Sequence, residues 1–368
     1  MVFKQVLIVD PVDGEYVADL QTEDERITKI ERVSGDFTCI LMPGFVDVHT
    51  HGAFGVNSMT MDYEDLHRWE KELHKEGITY FLPTTVSAYA GEMNKVHEVV
   101  SNYIEKNPLT SVSGIHLEGP YINPAKKGSQ NPSRIRPATT KELNSLSLEY
   151  ALLITMAPEI EGFEEALPTL KKNGVVVSLG HTDAEFEDMN RAFGLGINRM
   201  THFPNGMNTL HHREIGCVGA GLLLDMMLEM ISDGIHSSPD FVKLVYKLKG
   251  PSKIILITDS IDATGLEDGK YDLGGLEVSV INGKATLKDG TIAGSTLKFS
   301  QGVRNFQEWT KCSLKELATV SSFNALKNLG IDDRGRISSG YLADFVLLDK
   351  KLDVKETVLN GHTVFKRR

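Results

Sequence analysis

Hydrophobic and polar positions follow two different rhythms along this chain. Over residues 2–41, short apolar stretches alternate with polar positions and are broken by turns, in VLIVD, DPVDGEY and DERITKIERV. The C-terminal stretches RISSGYLADFVLLD and VKETVLNGHTVFK have the same character and are punctuated by Gly and Asn-Gly. Period-two patterning bounded by Gly, Asp and Asn predicts strands and hairpins. Two such ends around a different middle predict one small β-sandwich domain built from both termini, residues 1–42 plus 336–368.

The middle alternates between apolar runs and segments of helical period. Eight runs can be placed, at 44–49 (GFVDVH), 78–86 (ITYFLPTTV), 112–118 (VSGIHLE), 152–157 (LLITMA), 174–180 (GVVVSLG), 197–202 (INRMTH), 227–235 (MLEMISDGI) and 253–259 (SKIILITD). Amphipathic segments such as YEDLHRWEKELHKEG and DFVKLVYKLKG separate most of them. Continuous apolar strands alternating with helices indicate a parallel sheet covered on both faces. Eight such units over about 250 residues predict an α/β fold, a (β/α)8 TIM-like barrel over 43–335. A doubly wound open sheet is the main competing fold, and the count of eight would drop by one if the run at 227–235 belonged to a longer helical segment starting near Gly221.

The length of 368 residues exceeds what one hydrophobic core usually serves, which agrees with a large domain plus a small one. The formal charge of −11, from 50 acidic against 39 basic residues, argues against nucleic acid or a membrane surface as partner, since both attract a basic footprint. It leaves room for a small anionic substrate in a locally positive pocket. No stretch approaches the roughly 18 apolar residues of a membrane span, and the early charges of MVFKQVLIVDPVDGEY are unlike a secretory signal. Cys39, Cys217 and Cys312 are odd in number, widely spaced and without a CxxC, so the expectation is neither a disulfide framework nor a thiolate zinc site, but a reducing cytoplasm.

The chemistry lies where the apolar runs end: His49-x-His51, Glu118, His181, His202, His236 and Asp259. In a barrel the C-terminal strand ends share one face, so these residues would converge although widely separated in sequence. Imidazole and carboxylate are the donors of a catalytic zinc or iron(II) site that keeps a position open for water. Period-two alternation puts both rings of His49-x-His51 on one side of a strand end, where they can chelate one ion. Each residue also has a plainer reading. A lone His is often a hydrogen-bonded structural residue. Glu118 could cap the turn before Pro120, and Asp259 could be a helix N-cap. Six such groups all at strand ends favour the metal reading. His67, His74 and His97 lie on charged helices and are expected to be solvated. His116 shares a strand face with Glu118 and is expected to pack in the core. His211 and His212 carry no assignment, and His362 belongs to the terminal β-region.

The segments LMPGFVDVHTHG, GIHLEGPYINPAKKG, VSLGHTDA, THFPNGMN, SDGIH and ITDSIDATG, in this order, resemble the N-acetylglucosamine-6-phosphate deacetylase family of the amidohydrolase superfamily. GYLADFVLLD resembles the family's return to the small β-domain, so the resemblance spans essentially the whole chain. HLEGP with KKG and THFPNGM is far more specific than His-x-His, which the whole superfamily shares. The resemblance implies that Glu118, His181 and His202 are the principal metal ligands. His49 and His51 match positions that hold a second ion in some members, with Glu118 bridging, so one or two divalent ions are implied; zinc or iron leads, and cobalt or manganese is compatible with the same donors. Asp259 matches the catalytic acid/base. Asn205, the backbone of Gly206, Arg213 and His236 match the groups that bind the sugar phosphate, some across a homodimer interface. Gln130 stands where some members have a His against the acetyl carbonyl; its amide can donate a hydrogen bond but cannot carry a proton.

The implied activity is hydrolysis of the acetamide of a phosphorylated amino sugar. A cyclic-amide hydrolase would commonly place a carboxylated Lys at the end of the fourth strand, where this chain reads LLITMAPE. The same motifs are compatible with the galactosamine epimer as substrate, and with a non-catalytic sugar-phosphate-binding protein on the same fold.

Overall fold

The computed structural model describes residues 1–367. Each of the eight apolar runs contributes a strand: Phe45–Thr50, Ile78–Thr85, Ile115–Glu118, Ala151–Met156, Val176–Leu179, Arg199–Met200, Met227–Ile231 and Ile254–Ile257. They pair in chain order as one parallel sheet. The eighth strand then meets the first, because Thr50 bridges Ser260 in parallel and the Asp259 N–H donates to the His49 carbonyl at 2.9 Å. The sheet therefore closes into a barrel, and a doubly wound open sheet is excluded. The run at 227–235 is a strand in its first half. The helix before it, Gly216–Leu223, ends ahead of Met227, so one long helix through this region is excluded as well.

Alternate residues divide between the two sides of the barrel wall. Val46, Val48, Tyr80, Leu82, Leu153, Met227, Ile231, Ile255 and Ile257 form an apolar cluster inside it. Phe45, Phe81, Ile154, Leu228, Met230, Ile254 and Leu256 belong to the cluster shared with the surrounding helices. Helix Tyr63–Lys75 starts at Asp62, whose side chain accepts from the Asp65 N–H while Asp65 reciprocates at the Asp62 N–H. It buries Leu66, Trp69 and Leu73. The helix histidines are less solvated than expected. His74 is buried with Nε2 3.1 Å from Ser111 Oγ, His67 lies 2.8 Å from the Tyr103 hydroxyl, and His97 is half-buried. Charged neighbours in sequence gave no sign that His74 faces the inner side of its helix.

Both termini enter a seven-stranded sheet in the order His362–Lys366, Val354–Leu359, Phe345–Leu348, Ile40–Pro43, Val2–Asp10, Gly14–Glu23, Arg26–Arg32. One face, with Val6, Ile8, Leu41, Phe345, Leu347 and Val358, encloses its own core together with Ile337 and Ala343. The alternate residues Val9, Ile40, Met42, Val346 and Val354 join the cluster around the barrel. This is the small β-sandwich built from both ends, and its period-two pattern is what clamps it to the barrel.

A further antiparallel unit of three strands, Gly269–Leu273, Leu276–Ile281 and Lys284–Thr286, follows the eighth barrel strand. Its turns are Gly274-Gly275 and Asn282-Gly283, all at positive φ, the requirement of the tight hairpins that match strand twist. Its inner side packs Leu273, Val278, Val280 and Ala285 against Val86, Ile261 and Ala293, next to the barrel mouth.

Asp10 ties the two ends of the chain together. Its fully buried carboxylate accepts from Arg336 Nη2 at 2.9 Å and from the Ile337 N–H at 2.8 Å, and also from the Val12 and Asp13 N–H groups. Removing one partner of such a pair strands the other, so Asp10→Ala is expected to lower stability by about 3 kcal/mol in urea unfolding. A loss under about 0.5 kcal/mol, the size of a neutral surface change, would refute the tie.

Candidate active site

The C-terminal strand ends bring together side chains from five barrel strands. His49 and His51 leave the first strand, Glu118 ends the third, His181 and His202 follow the fifth and sixth, and Asp259 follows the eighth. They line a cavity of about 220 Å³ with Gln130, Asn205, Gly206 and His236, and His49 lies just beneath it. Leu273, Thr291, Ile292 and Gly294, from the inserted strands and the segment after them, form another wall. Sequence reasoning missed this wall, although its Gly-Gly and Asn-Gly turns between alternating residues were legible.

Glu118 is the hub. Its Oε1 lies 3.0 Å from His202 Nε2, 3.1 Å from His181 Nε2 and 3.3 Å from His49 Nε2; its Oε2 lies 3.2 Å from His51 Nε2. Asp259 Oδ1 sits 3.2 Å from His51 Nε2 and 3.4 Å from His49 Nε2. Two groups of potential metal donors result, His49–His51–Glu118 and Glu118–His181–His202, sharing the one carboxylate. Gln130 donates its amide to Glu118 Oε2 and accepts from the Ser87 N–H at 2.6 Å, which fixes the direction of the amide.

The far nitrogens decide what these rings can do. Nδ1 of His51 lies 3.1 Å from the Thr84 carbonyl, that of His181 2.9 Å from the Lys126 carbonyl, and that of His202 3.1 Å from the Asn205 carbonyl. A carbonyl only accepts, so each Nδ1 carries the hydrogen. His49 Nδ1 faces the Glu229 carboxylate at 3.3 Å, with the same result. In the neutral rings all four Nε2 lone pairs then point inward. His49 and His51 Nε2 are 3.3 Å apart, and those of His181 and His202 are 3.0 Å apart. Bare lone pairs and carboxylates at such distances repel unless a cation lies among them. Burial opposes charge on His49 and His51, yet the Glu118 and Asp259 carboxylates raise both, His49 far above its usual value and His51 to about 9. That negative field is what a divalent cation would meet in place of protons, so the residues fit a metal ion.

Local backbone supports the arrangement at some cost. His181, His202 and Asp259 all have positive φ, at 49°, 33° and 51°, a region that disfavours side chains and is tolerated where structure holds it in place. Gly206, at φ 65°, packs so closely on His181 that a Cβ would lie 3.1 Å from its Nδ1. Asp259 is followed by an isolated bridge to Ser295 and not by a helix, so it is not an N-cap. His116 is buried under the site with Nε2 2.8 Å from Thr155 Oγ1 and Nδ1 3.1 Å from the Val48 carbonyl, a packed core position as expected. His236 carries Nδ1 2.7 Å from Asp233 Oδ2; burial opposes the charge, but Asp233 raises the imidazole above its ordinary value. Arg213 does not line the cavity. It lies in the exposed segment 211–214, with Nη1 3.0 Å from His212 Nε2.

Three residues beneath the site escaped the sequence reading: Asp47, Arg199 and Glu229, each buried within a barrel strand. Asp47 accepts from Thr258 Oγ1 at 2.5 Å and from the His49 N–H at 3.3 Å. A charged residue inside an otherwise apolar strand was the available signal.

Comparison with known proteins agrees with this geometry. The Amidohydrolase family profile matches residues 40–364. The N-acetylglucosamine-6-phosphate deacetylase of Bacillus subtilis is 37% identical over 96% of this chain and 91% of its own length. The N-acetylgalactosamine-6-phosphate deacetylase of Escherichia coli O157:H7 is 35% identical over 88% of this chain and 87% of its own. The crystal structure of the N-acetylglucosamine-6-phosphate deacetylase of Thermotoga maritima superposes with a TM-score of 0.97 at 48% identity, covering 100% of both chains. The chain therefore belongs to the amidohydrolase family, in the branch that contains these amino-sugar-phosphate deacetylases.

Proposed function

We propose that this chain hydrolyses the acetamide of N-acetyl-D-glucosamine 6-phosphate, giving D-glucosamine 6-phosphate and acetate. The observation that carries the reading is the convergence of His49, His51, Glu118, His181 and His202 with Asp259 at the floor of one pocket, in a chain that matches deacetylases over its whole length. A Mycobacterium smegmatis relative, 26% identical with a TM-score of 0.91, was crystallised as an Asp-to-Ala mutant with N-acetyl-D-glucosamine-6-phosphate. Zinc or iron suits the histidine-carboxylate donors best, cobalt or manganese would fit them too, and the two groups of donors provide for one or two ions. When bound, such an ion supplies Lewis acidity and can bring the pKa of water down from 15.7 to about 7.

The chain's own residues supply the rest. Asp259 takes the proton of the attacking water and hands it to the departing sugar nitrogen, base first and acid second. Gln130 has one amide hydrogen committed to Glu118 and a second available to the acetyl oxygen. His236, with raised basicity from Asp233, and the Asn205–Gly206 segment face the pocket where a phosphate would lie. Arg213, exposed and off the wall of its own pocket, suits delivery to the phosphate from a second subunit, and we take the working form to be a homodimer. The three cysteines are free, which suits a reducing, cytoplasmic setting, and among the described residues no helix is long and apolar enough to cross a membrane.

The galactosamine epimer is a second reading, favoured by the similarity to the Escherichia coli relative. Acetate release should be measured from both phosphorylated epimers and from unphosphorylated N-acetylglucosamine. Turnover of the glucosamine 6-phosphate substrate is expected to exceed the others, to vanish on chelation and to return with a divalent ion. No acetate from any of the three by the metal-loaded protein would defeat the substrate assignment. Asp259→Asn is expected to keep its metal by elemental analysis and to lose about 10²–10⁴-fold in kcat; near-normal turnover would remove the acid/base role. Arg213→Ala should raise KM about 10–100-fold, the worth of a charge-assisted hydrogen bond, and an unchanged KM counts against the phosphate contact.

A further inference from the structure

Glu229 and Arg199 are a buried ion pair among aliphatic side chains of the barrel interior. Glu229 is the middle residue of Met227–Ile231, and its neighbours on the same face, Met227 and Ile231, belong to the apolar barrel interior. Arg199 lies on the adjacent sixth strand, in register with Met227. Both side chains are 0% exposed. Arg199 Nε donates to Glu229 Oε1 at 2.8 Å, and Nη1 donates to Asn328 Oδ1 at 2.8 Å. The Arg199 guanidinium, which stays charged, meets Glu229 Oε1 with Nε at 2.8 Å and Nη2 at 2.6 Å, so its buried partner is a carboxylate. A buried ion pair of this kind is often no more stabilising than hydrocarbon of the same volume, so stability gives no reason for its presence.

The second carboxylate oxygen supplies a reason. Glu229 Oε2 lies 3.3 Å from His49 Nδ1 and 3.3 Å from the backbone nitrogen of His202. The other three histidines of the two donor groups, His51, His181 and His202, give Nδ1–H to neutral carbonyls, of Thr84, Lys126 and Asn205. His49 alone among them has a carboxylate. An anionic partner fixes the tautomer and the ring orientation, and it makes the opposite nitrogen a stronger donor than a carbonyl partner does.

We propose that Glu229, held and neutralised by Arg199, is a positioning residue that orients His49 and sets the ion affinity of the His49–His51–Glu118 group. The dependence is unequal: the imidazole of His49 is held by Glu229, whereas the rings of His181 and His202 are oriented by peptide carbonyls and Glu229 reaches only the backbone N–H of His202. The inference rests on the metal-site reading above, and its readout is metal binding and not turnover.

The test uses the full chain, stripped of metal and re-titrated. Zn²⁺ occupancy is followed by equilibrium dialysis with elemental analysis, and Co²⁺ by its visible absorption. The double substitution Arg199→Met with Glu229→Gln removes both charges together and leaves none unpaired. Glu229→Asp, which keeps the charge and shortens the arm, makes the same comparison if the double variant does not fold. The ion that His49→Ala removes is expected to bind the double variant about 10–100-fold more weakly, with an altered Co²⁺ spectrum. The affinity that His181→Ala removes should stay unchanged, which a general loss of structure would not produce. The proposal is overturned if His49→Ala removes no ion, if the double variant binds as the wild type does, or if both affinities fall together. A wild type that binds its ions but releases no acetate overturns the deacetylase reading and leaves this one standing.

Discussion

Four imidazole nitrogens aimed at one buried carboxylate are the constraint on which the rest of this structure depends. Each ring spends its Nδ1–H on an acceptor that cannot return a proton, three on peptide carbonyls and one on Glu229. The inward nitrogens are thereby the ones left to take up a proton or to donate to a cation. Lone pairs about 3 Å apart are tolerable only around positive charge, so the site is built for a cation, and the protein bears the electrostatic strain of holding it ready.

Barrel closure makes this possible. The residues come from five strands spread over two hundred positions of chain, and each is placed by a backbone that hydrogen-bonds on both sides. The link between the eighth strand and the first runs through the site itself: the Asp259 N–H donates to the His49 carbonyl, and the His51 N–H donates to the Ser260 carbonyl at 2.8 Å. The last bonds that close the barrel also fix the distance from the acid/base to the first two histidines. Positive φ at His181, His202 and Asp259 persists because neighbouring elements over-determine it, and Gly206 leaves His181 the room it needs.

Beneath the donors, charge runs through the barrel interior from His49 through Glu229 and Arg199 to Asn328. Around it lie the aliphatic side chains of the barrel interior and the buried, hydrogen-bonded set His116, Thr155, Thr201 and Ser178, with no solvent to screen the column. Its members must satisfy one another, which couples the placement of a ligand at the mouth to contacts deep in the barrel.

Much of this was legible in the chain. Eight apolar runs specified the strands, and the six that end at His, Glu or Asp specified the functional face, because strand periodicity and the placement of polar residues at strand ends are local properties. Alternation at both ends marked the terminal sheet for the same reason. Arg199 and Glu229 carried a weak signal, each one charge inside an apolar run, but a lone buried charge acquires meaning only through its partner, and theirs are on other strands. The solvated reading of His74 failed because helix charge composition does not say which face turns inward. The wall formed by Leu273 and Ile292 was out of reach in another way, since its hairpins were readable but not where they pack. The sequence by itself determined which donors exist, on which elements, and in what order. Tertiary structure decided which nitrogen of each ring faces the site, that Gln130 clamps Glu118, and that Arg213 stands outside its own pocket, because those outcomes depend on hydrogen-bond partners that only a closed barrel brings within reach.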